Sequence, residues 1–331
     1  MNRRAFLNGT TLATGAALLG VRASGAAAAE PPLETTRLRV ALTPAICFAP
    51  QYVAGDGLLQ SEGFTSVEYV KGPSGMGLLI SGKADLAGTD VPGIVTQTDK
   101  GQPIVALAGM HVGCYELFGT DRIRTVLDLK GRKVAFPFLL SGRHLMMTTV
   151  LVHVGLDPRK DVEWVTSPPA ESMQLLAEGK VDAYMGFPPE PQELRAKKVG
   201  HVVLSTTTDR PWSQYFCCMV AANRDFVRKN PVATKRALRA ILKATEICAL
   251  EPGRIAKSLV EKGITPREDY ALTTLRELPY ARWREYSPED SIRFYSLRLH
   301  EAGLIKSSPQ KIMAQGTDWR FLNELKKELK G

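Results

Sequence analysis

Cysteine is scarce in this chain. Five in 331 residues (Cys47, Cys114, Cys217, Cys218 and Cys248) are too few and too widely spaced for a disulfide-rich exported scaffold. The count admits one disulfide, and buried free thiols acting as small hydrophobes are the expected state. Neither C-x-x-C nor H-E-x-x-H occurs, so the spacing carries no zinc pattern. A G-x-S-x-G elbow, a phosphate-binding P-loop and a dinucleotide fingerprint are missing too. No catalytic residue, metal ligand or cofactor is therefore expected. Beyond the N-terminus there is no apolar run of about 18 residues, so no membrane span is expected there. The chain also lacks a low-complexity linker and a long repeat array. Positive charge is present but spread out. The formal net charge of +9 includes Arg3, Arg4 and Arg22, and no basic cluster is interleaved with aromatics as in a nucleic-acid binder.

The first 29 residues have the order of a targeting segment. Arg3-Arg4 precedes Phe6-Leu7, an apolar stretch runs from Leu12 to Val21, and Ala26 to Ala29 offer a small-residue cleavage site. The Arg-Arg-x-Phe-Leu arrangement resembles a twin-arginine export signal; an ordinary Sec signal carrying two arginines is the other reading. No cysteine follows the apolar region, so a lipid anchor is not expected. Cleavage near Ala29 would release a periplasmic protein.

The rest has ordinary globular composition, 44% hydrophobic and 23% charged, and a length suited to two domains. Short apolar runs at Leu38–Leu42, Val67–Val70, Ala84–Gly88 and Gln102–Met110 alternate with helical patterns at Ala49–Leu59, Met76–Ile80 and Val91–Gln97. Such alternation predicts a parallel α/β sheet. The pattern restarts at Asp128, with strands expected at Val162–Val165, Val181–Met185 and His201–Leu204. Ser81-Gly82-Lys83-Ala84-Asp85 in the first unit matches Glu178-Gly179-Lys180-Val181-Asp182 in the second. Two similar units suggest two lobes with a cleft between them. Phe216–Ala221 reads as a buried return strand, and helices follow. Pro231 stands at a first helical turn, and Ser287-Pro288-Glu289-Asp290 is an N-cap signal. The basic residues of 228–243 read as a solvated face.

Ligands of such sheets bind beyond the carboxyl ends of the strands. The stretch from Asp128 to Pro158 shows one such junction. Lys133–Phe136 is a short strand ended by Pro137, and Ser141-Gly142-Arg143-His144 opens a helix that Gly155 stops. A helix start directs free N–H groups and a positive dipole end at one point, and Arg143 adds a forked donor set. This is chemistry for holding a small anionic group. The equivalent loops at the other strand ends bring Thr43, Cys47, Phe48, Thr89, Asp90, His111, Phe187 and Pro188 into the candidate site.

Gly88-Thr89-Asp90, Gly101-Gln102-Pro103, Asp128 to Val134, Ser141 to His144, Gly155 to Pro158, Glu178 to Ala183 and Asn230-Pro231 stand in a recognisable order. With them the chain resembles the periplasmic substrate-binding proteins of ABC importers of the nitrate/sulfonate/taurine class, and is similar to the related thiamine-pyrimidine synthase family. The resemblance implies a type II periplasmic-binding-protein fold. Residues 30–120 with 215–331 would form one α/β lobe carrying C-terminal helices, and residues 121–214 the other. It implies hinge crossings near Gly113 to Thr125 and Asp209 to Gln214, a small-molecule ligand, delivery to an importer permease with its ATPase, a monomer, and no reaction. In the family, the loop matching Ser141-Gly142 supplies donors to the ligand; Arg143 and His144 match by position only. Phe138-Leu139-Leu140 departs from the small polar loops of sulfonate and nitrate binders, which favours a larger, partly apolar ligand.

Several residues carry more than one reading. The pyrimidine synthases have a cysteine cluster near the place of Phe216-Cys217-Cys218-Met219. Here a buried core pair is the leading reading, beside a disulfide to Cys47 or Cys114 and metal or redox chemistry. Neighbouring strand residues face opposite sides, so one of the two thiols at most is expected to reach the cleft. The corresponding alternative function is an exported metal- or ligand-binding sensor or enzyme using Cys217 and Cys218. For His111, ligand contact and structural hydrogen bonding stand level; His144 favours ligand contact; His153 reads as a core residue. Asp85 and Asp182 read as backbone-bonding residues, one per lobe. Glu116 and Asp90 would also suit an amine ligand. Trp212, Tyr215 and Trp283 read as core.

Overall fold

The structure, a computed structural model, describes residues 30–329. The proposed export signal at 1–29 lies outside them. Two sheets organise the fold. Strand β1 (Arg37–Leu42) leads through short helices α1 (Ala49–Val53) and α2 (Leu59–Ser61) to β2 (Ser66–Lys71). Helix α3 (Gly75–Ile80) joins β2 to β3 (Leu86–Asp90), and α4 (Val91–Asp99) joins β3 to β4 (Ile104–Val112). Every residue of β4 is buried, as a continuous apolar run predicts for a strand covered on both faces. The second sheet takes β5 (Glu116–Gly119), β6 (Arg132–Phe136), β7 (Val162–Thr166), β8 (Ala183–Gly186) and β9 (His201–Ser205). Its helices are α5 (Gly142–His153), α6 (Pro169–Ala177) and α7 (Glu190–Ala196). The chain then returns as β10 (Phe216–Asn223) to the first sheet.

The two sheets have matching orders, β2-β1-β3-β10-β4 and β7-β6-β8-β5-β9. Both are mixed and not purely parallel, which corrects the expectation from strand–helix alternation. β10 runs antiparallel to β3 and β4, and β5 runs antiparallel to β8 and β9. The reason is connectivity. Each antiparallel strand arrives straight from the opposite sheet, so no crossover helix turns it round. β5 pairs wholly within the second sheet, so the chain has changed sheets before Glu116.

The matching aspartates fix equivalent corners. Asp85 N donates to Arg39 O at 2.8 Å while Asp85 Oδ2 accepts from Arg39 N at 2.8 Å. Asp182 N donates to Lys133 O at 2.8 Å, and Asp182 Oδ2 accepts from Lys133 N at 3.0 Å. Asp85 thereby stitches β1 to the start of β3, and Asp182 stitches β6 to the start of β8, as backbone-bonding residues do; they pair with Arg39 and Arg122 respectively.

The two crossings lie side by side. Thr206 N donates to Tyr115 O, and Tyr115 N to Thr206 Oγ1, both at 2.9 Å. Gly113 (φ +73°) comes so close to the second crossing that a Cβ there would lie 2.5 Å from Thr207 Cα.

Helices α8 (Arg224–Lys229) and α9 (Pro231–Leu250) follow β10. After them come α10 (Pro252–Glu261), α11 (Glu268–Glu277), α12 (Pro288–Glu301), α13 (Pro309–Gly316) and α14 (Arg320–Glu328). Ser287 caps α12 as the sequence predicts, accepting from Asp290 N at 3.1 Å. The basic face of α9 is not merely solvated. Arg239 reaches buried Glu62 and also Glu328, and Lys235 pairs with Glu324 and Glu328, so these cations tie α9 to the end of α2 and to α14. His153 is exposed in the last turn of α5, edge-on to Trp212 at 5.4 Å, so it is not the core residue its apolar surroundings suggested. Trp212 and Trp283 are buried, and Tyr215 stacks on Phe294 at 4.1 Å.

Candidate functional site

Residues from the carboxyl ends of β1, β3, β6 and β8, with Tyr115 of the first crossing, come together at one place. Asp90 ends β3 and caps α4, its Oδ1 accepting from Gly93 N at 2.7 Å. Ser141 caps α5, accepting from His144 N at 3.3 Å. Gly142, the first residue of α5, packs directly against the opposite wall. A Cβ added there would lie 2.6 Å from Tyr115 Oη and 3.1 Å from Asp90 Oδ2. Phe187, beyond β8, meets Tyr115 at 5.0 Å and Phe48 at 6.3 Å between ring centroids. The Arg143 guanidinium stands 5.4 Å from the Phe187 ring. The site thus pairs one helix start with an aromatic group of three, and both sheets contribute.

Arg143 is already partnered. Its Nε donates to Glu190 Oε2 at 3.0 Å and its Nη2 to Glu190 Oε1. Tyr184 Oη donates to Glu190 Oε2 at 2.6 Å, and Phe187 N donates to the same oxygen at 3.0 Å. Burial works against the charge on Arg143, but the Glu190 carboxylate outweighs it and holds the guanidinium protonated. Burial pushes the Tyr184 hydroxyl up, and Glu190 adds to that. Burial also pushes the Asp90 carboxyl up, only partly offset by Gly93 N and by Arg143. The sequence places the loop from Phe187 to Glu190 on the ligand side but singles out none of Glu190, Tyr184 and Tyr115. A glutamate in a first helical turn looks like an ordinary complement to the helix dipole, and nothing local announces its distant arginine.

Other sequence-selected residues lie apart from this point. His144 packs between Phe136 (5.1 Å) and Trp164 (4.8 Å), with Nδ1 accepting from Leu140 N at 3.4 Å; burial lowers its pKa to about 4. Thr89 is buried in β3 opposite Met219. Pro188 is buried and joined to Pro189 by a cis peptide bond. Thr43 Oγ1 is buried and has no hydrogen-bond partner among the described residues. Glu116 is drawn to Arg195, which also binds Glu277. Phe138, Leu139 and Leu140 stand exposed ahead of α5.

Cys47 and His111 belong to a second, buried group. With Cys114 and Cys218 they offer four ligand atoms, all within 4.8 Å of one another. Cys217 Sγ lies 2.9 Å from Cys114 Sγ, and Cys218 Sγ lies 3.9 Å from it. Both neighbouring thiols therefore face the same partner, against the expectation that alternation would separate them. The reason is a pair of register shifts in β10 against β4, between Phe216 and Cys218 and between Cys218 and Met219, which break the period of two. All five cysteines are free and buried. Spacing alone did not suggest this donor set, because widely separated segments supply it.

A cavity of about 1210 Å³ lies elsewhere, lined by the second crossing and by α12, including Tyr215, Phe294 and Arg298. Among the described residues no helix is long and apolar enough to cross a membrane.

A model of the NMT1-like family matches residues 31–260. The chain is similar to the bicarbonate-binding protein CmpA of Synechococcus elongatus, 28% identical over 109 residues that make up 33% of this chain and 24% of that protein. It is also similar to the nitrate/nitrite binding protein NrtA of a Nostoc species, 24% identical over 257 residues, 68% of this chain and 57% of that protein. The chain thus spans less than two thirds of these relatives. Among solved structures it is similar to the periplasmic nitrate-binding protein NrtA of Synechocystis, with a TM-score of 0.73, 17% identity, and 91% of this chain and 90% of that chain covered. It is also similar to the alkanesulfonate-binding protein SsuA of Xanthomonas axonopodis bound to MOPS, with a TM-score of 0.67, 18% identity, and 88% and 100% covered. At these identities the structural likeness is one of fold, and that fold is the two-lobed periplasmic-binding-protein fold.

Proposed function

The chain belongs to the NMT1-like family, and on that premise we propose that it is an exported, monomeric solute-binding protein. It captures a small organic anion between its two sheets and hands it to the permease and ATPase of an ABC importer. The observation that carries this reading is the meeting at Gly142, where a helix start of one sheet packs on Tyr115 and Asp90 of the other wall. The two lobes open and close about the paired crossings at Gly113–Tyr115 and Thr206–Thr207. The permease reads the closed form.

The first turn of α5 supplies N–H groups and the positive end of a dipole to the anionic head. Arg143 adds its charge, and its Nη1 lies outside the two bonds to Glu190. Asp90 takes its protonated form more readily than an exposed aspartate, because burial raises its pKa, and in that form it donates to an acceptor. Phe48, Tyr115 and Phe187 take an apolar body, which favours an organic anion over nitrate or bicarbonate.

One observation favours a second reading. Glu190 engages two of the three guanidinium nitrogens, while Asp90 sits beside aromatic Tyr115. A carboxylate among ring faces is also how a protein holds an organic amine.

A thermal-shift panel on residues 30–331 separates the readings. A ligand at 100 times its dissociation constant stabilises the fold by about 2.7 kcal/mol. The expected result is stabilisation by alkanesulfonates or aromatic carboxylates and little effect of nitrate or bicarbonate. Stabilisation by benzylamine alone would overturn the anion reading in favour of the amine.

A further inference from the structure

The buried thiol group asks for an explanation that packing does not supply. Free cysteines serve well as small hydrophobes, and Cys248 in α9 is one. Cys47, Cys114 and Cys218 differ, because they converge with an imidazole from segments far apart in the sequence. Two backbone irregularities bring them there. Cys114 has φ +114°, in a region a non-glycine residue rarely adopts, and β10 bulges on both sides of Cys218. Strain of this kind costs about 1–3 kcal/mol and persists where the surroundings impose it, commonly at functional positions.

His111 points the same way. It is fully buried, and its Nδ1 lies 3.2 Å from Val112 O, which fixes the ring as an Nδ1–H donor to backbone carbonyl. Its Nε2 is buried and has no hydrogen-bond partner among the described residues. A histidine held through one nitrogen by a backbone carbonyl, with the other lone pair free, is the arrangement of a metal-bound imidazole. Tyr280 closes the group from the helical side, edge-on to His111 at 5.3 Å and bonded through its hydroxyl to Cys47 O at 2.9 Å.

We propose that Cys47, His111, Cys114 and Cys218 form a closed, four-ligand site for one soft transition-metal cation, zinc(II) or copper(I). Three sulfurs and one imidazole nitrogen match the preference of such ions, and a complete, buried set leaves no open position for a reacting water. The site is independent of the small-molecule reading. It adjoins that cleft through the chain itself: Cys47 precedes Phe48 and Cys114 precedes Tyr115, so a bound ion pins two walls of the cleft to the first sheet and to the crossing.

The test uses residues 30–331 purified under reducing conditions and loaded separately with zinc(II), cobalt(II) as its coloured substitute, and copper(I). The expected result is one tightly held equivalent of zinc or copper. Cobalt should give sulfur-to-metal charge-transfer absorption, and the loaded form should melt higher than the metal-free form. Affinity falls at least tenfold in His111→Ala and Cys218→Ser, while Cys248→Ser keeps it; melting curves establish that each variant is folded. Wild-type protein that is reduced, folded and retains no stoichiometric metal overturns the site, whatever the variants do. So does metal retention unchanged in folded His111→Ala. A Cys114–Cys217 disulfide found by mass spectrometry in natively exported protein also overturns it, since one ligand would then be consumed.

Discussion

Arg143, in the first turn of α5, grips the carboxylate of Glu190, in the first turn of α7, through two nitrogens of its fork. The pair locks together the loops that follow β6 and β8, and Tyr184 Oη and Phe187 N complete the carboxylate's bonding. The residue expected to greet a ligand is thus also a structural clamp beneath the site.

Breaking that clamp from one side should be costly. Glu190→Gln leaves a largely buried guanidinium without its counter-charge, and a loss of about 3 kcal/mol is expected in urea denaturation. The double variant Arg143→Met/Glu190→Leu should recover most of it, and the cycle of four proteins gives the coupling. Equal instability of the single and double variants would show that the pair is not a clamp.

Gly113→Ala should destabilise the whole chain. The backbone there is left-handed, and the new Cβ would fall 2.3 Å from Thr207 Oγ1 and 2.5 Å from Thr207 Cα. Main chain cannot step aside as a side chain can, so a loss of about 3 kcal/mol is expected. A denaturation midpoint unchanged from wild type would refute the close contact of the crossings.

His144 should make stability depend on pH. Its pKa is about 6.5 when unfolded and about 4 in the fold, where burial excludes the charge and Nδ1 serves as acceptor. Between those values the unfolded chain binds a proton that the folded chain does not. Stability contributed by the neutral ring is therefore present above about 6.5 and lost as pH falls toward 4, by about 3 kcal/mol. His144→Gln should flatten the slope between pH 7 and pH 5 relative to wild type. Identical slopes would mean that the ring titrates in the fold as it does in the unfolded chain.

Much of this architecture is legible in the sequence. Asp85 and Asp182 were marked by equal positions in matching segments, and both do stitch strands of their sheets. Ser141 and Ser287 announced their helices through capping chemistry that is local and so readable. What escaped reading was non-local. β5 is four residues long and sits beside a crossing, too short to show a period. Helix α7 hides behind Pro188-Pro189 and contains Pro191, residues that read as loop. The thiol group depends on bulges in β10, which only pairing with β4 reveals.

The most direct test of the central claim is a calorimetric titration of wild type and Gly142→Ala with the organic anion that stabilises the fold best. The added methyl would meet Tyr115 Oη at 2.6 Å and Asp90 Oδ2 at 3.1 Å, holding the two walls apart while α5 keeps its helix. The account predicts one site per chain in wild type, an affinity at least tenfold weaker in the variant, and nearly equal melting temperatures of the ligand-free proteins. Binding of equal strength in both would place the ligand somewhere other than between the sheets.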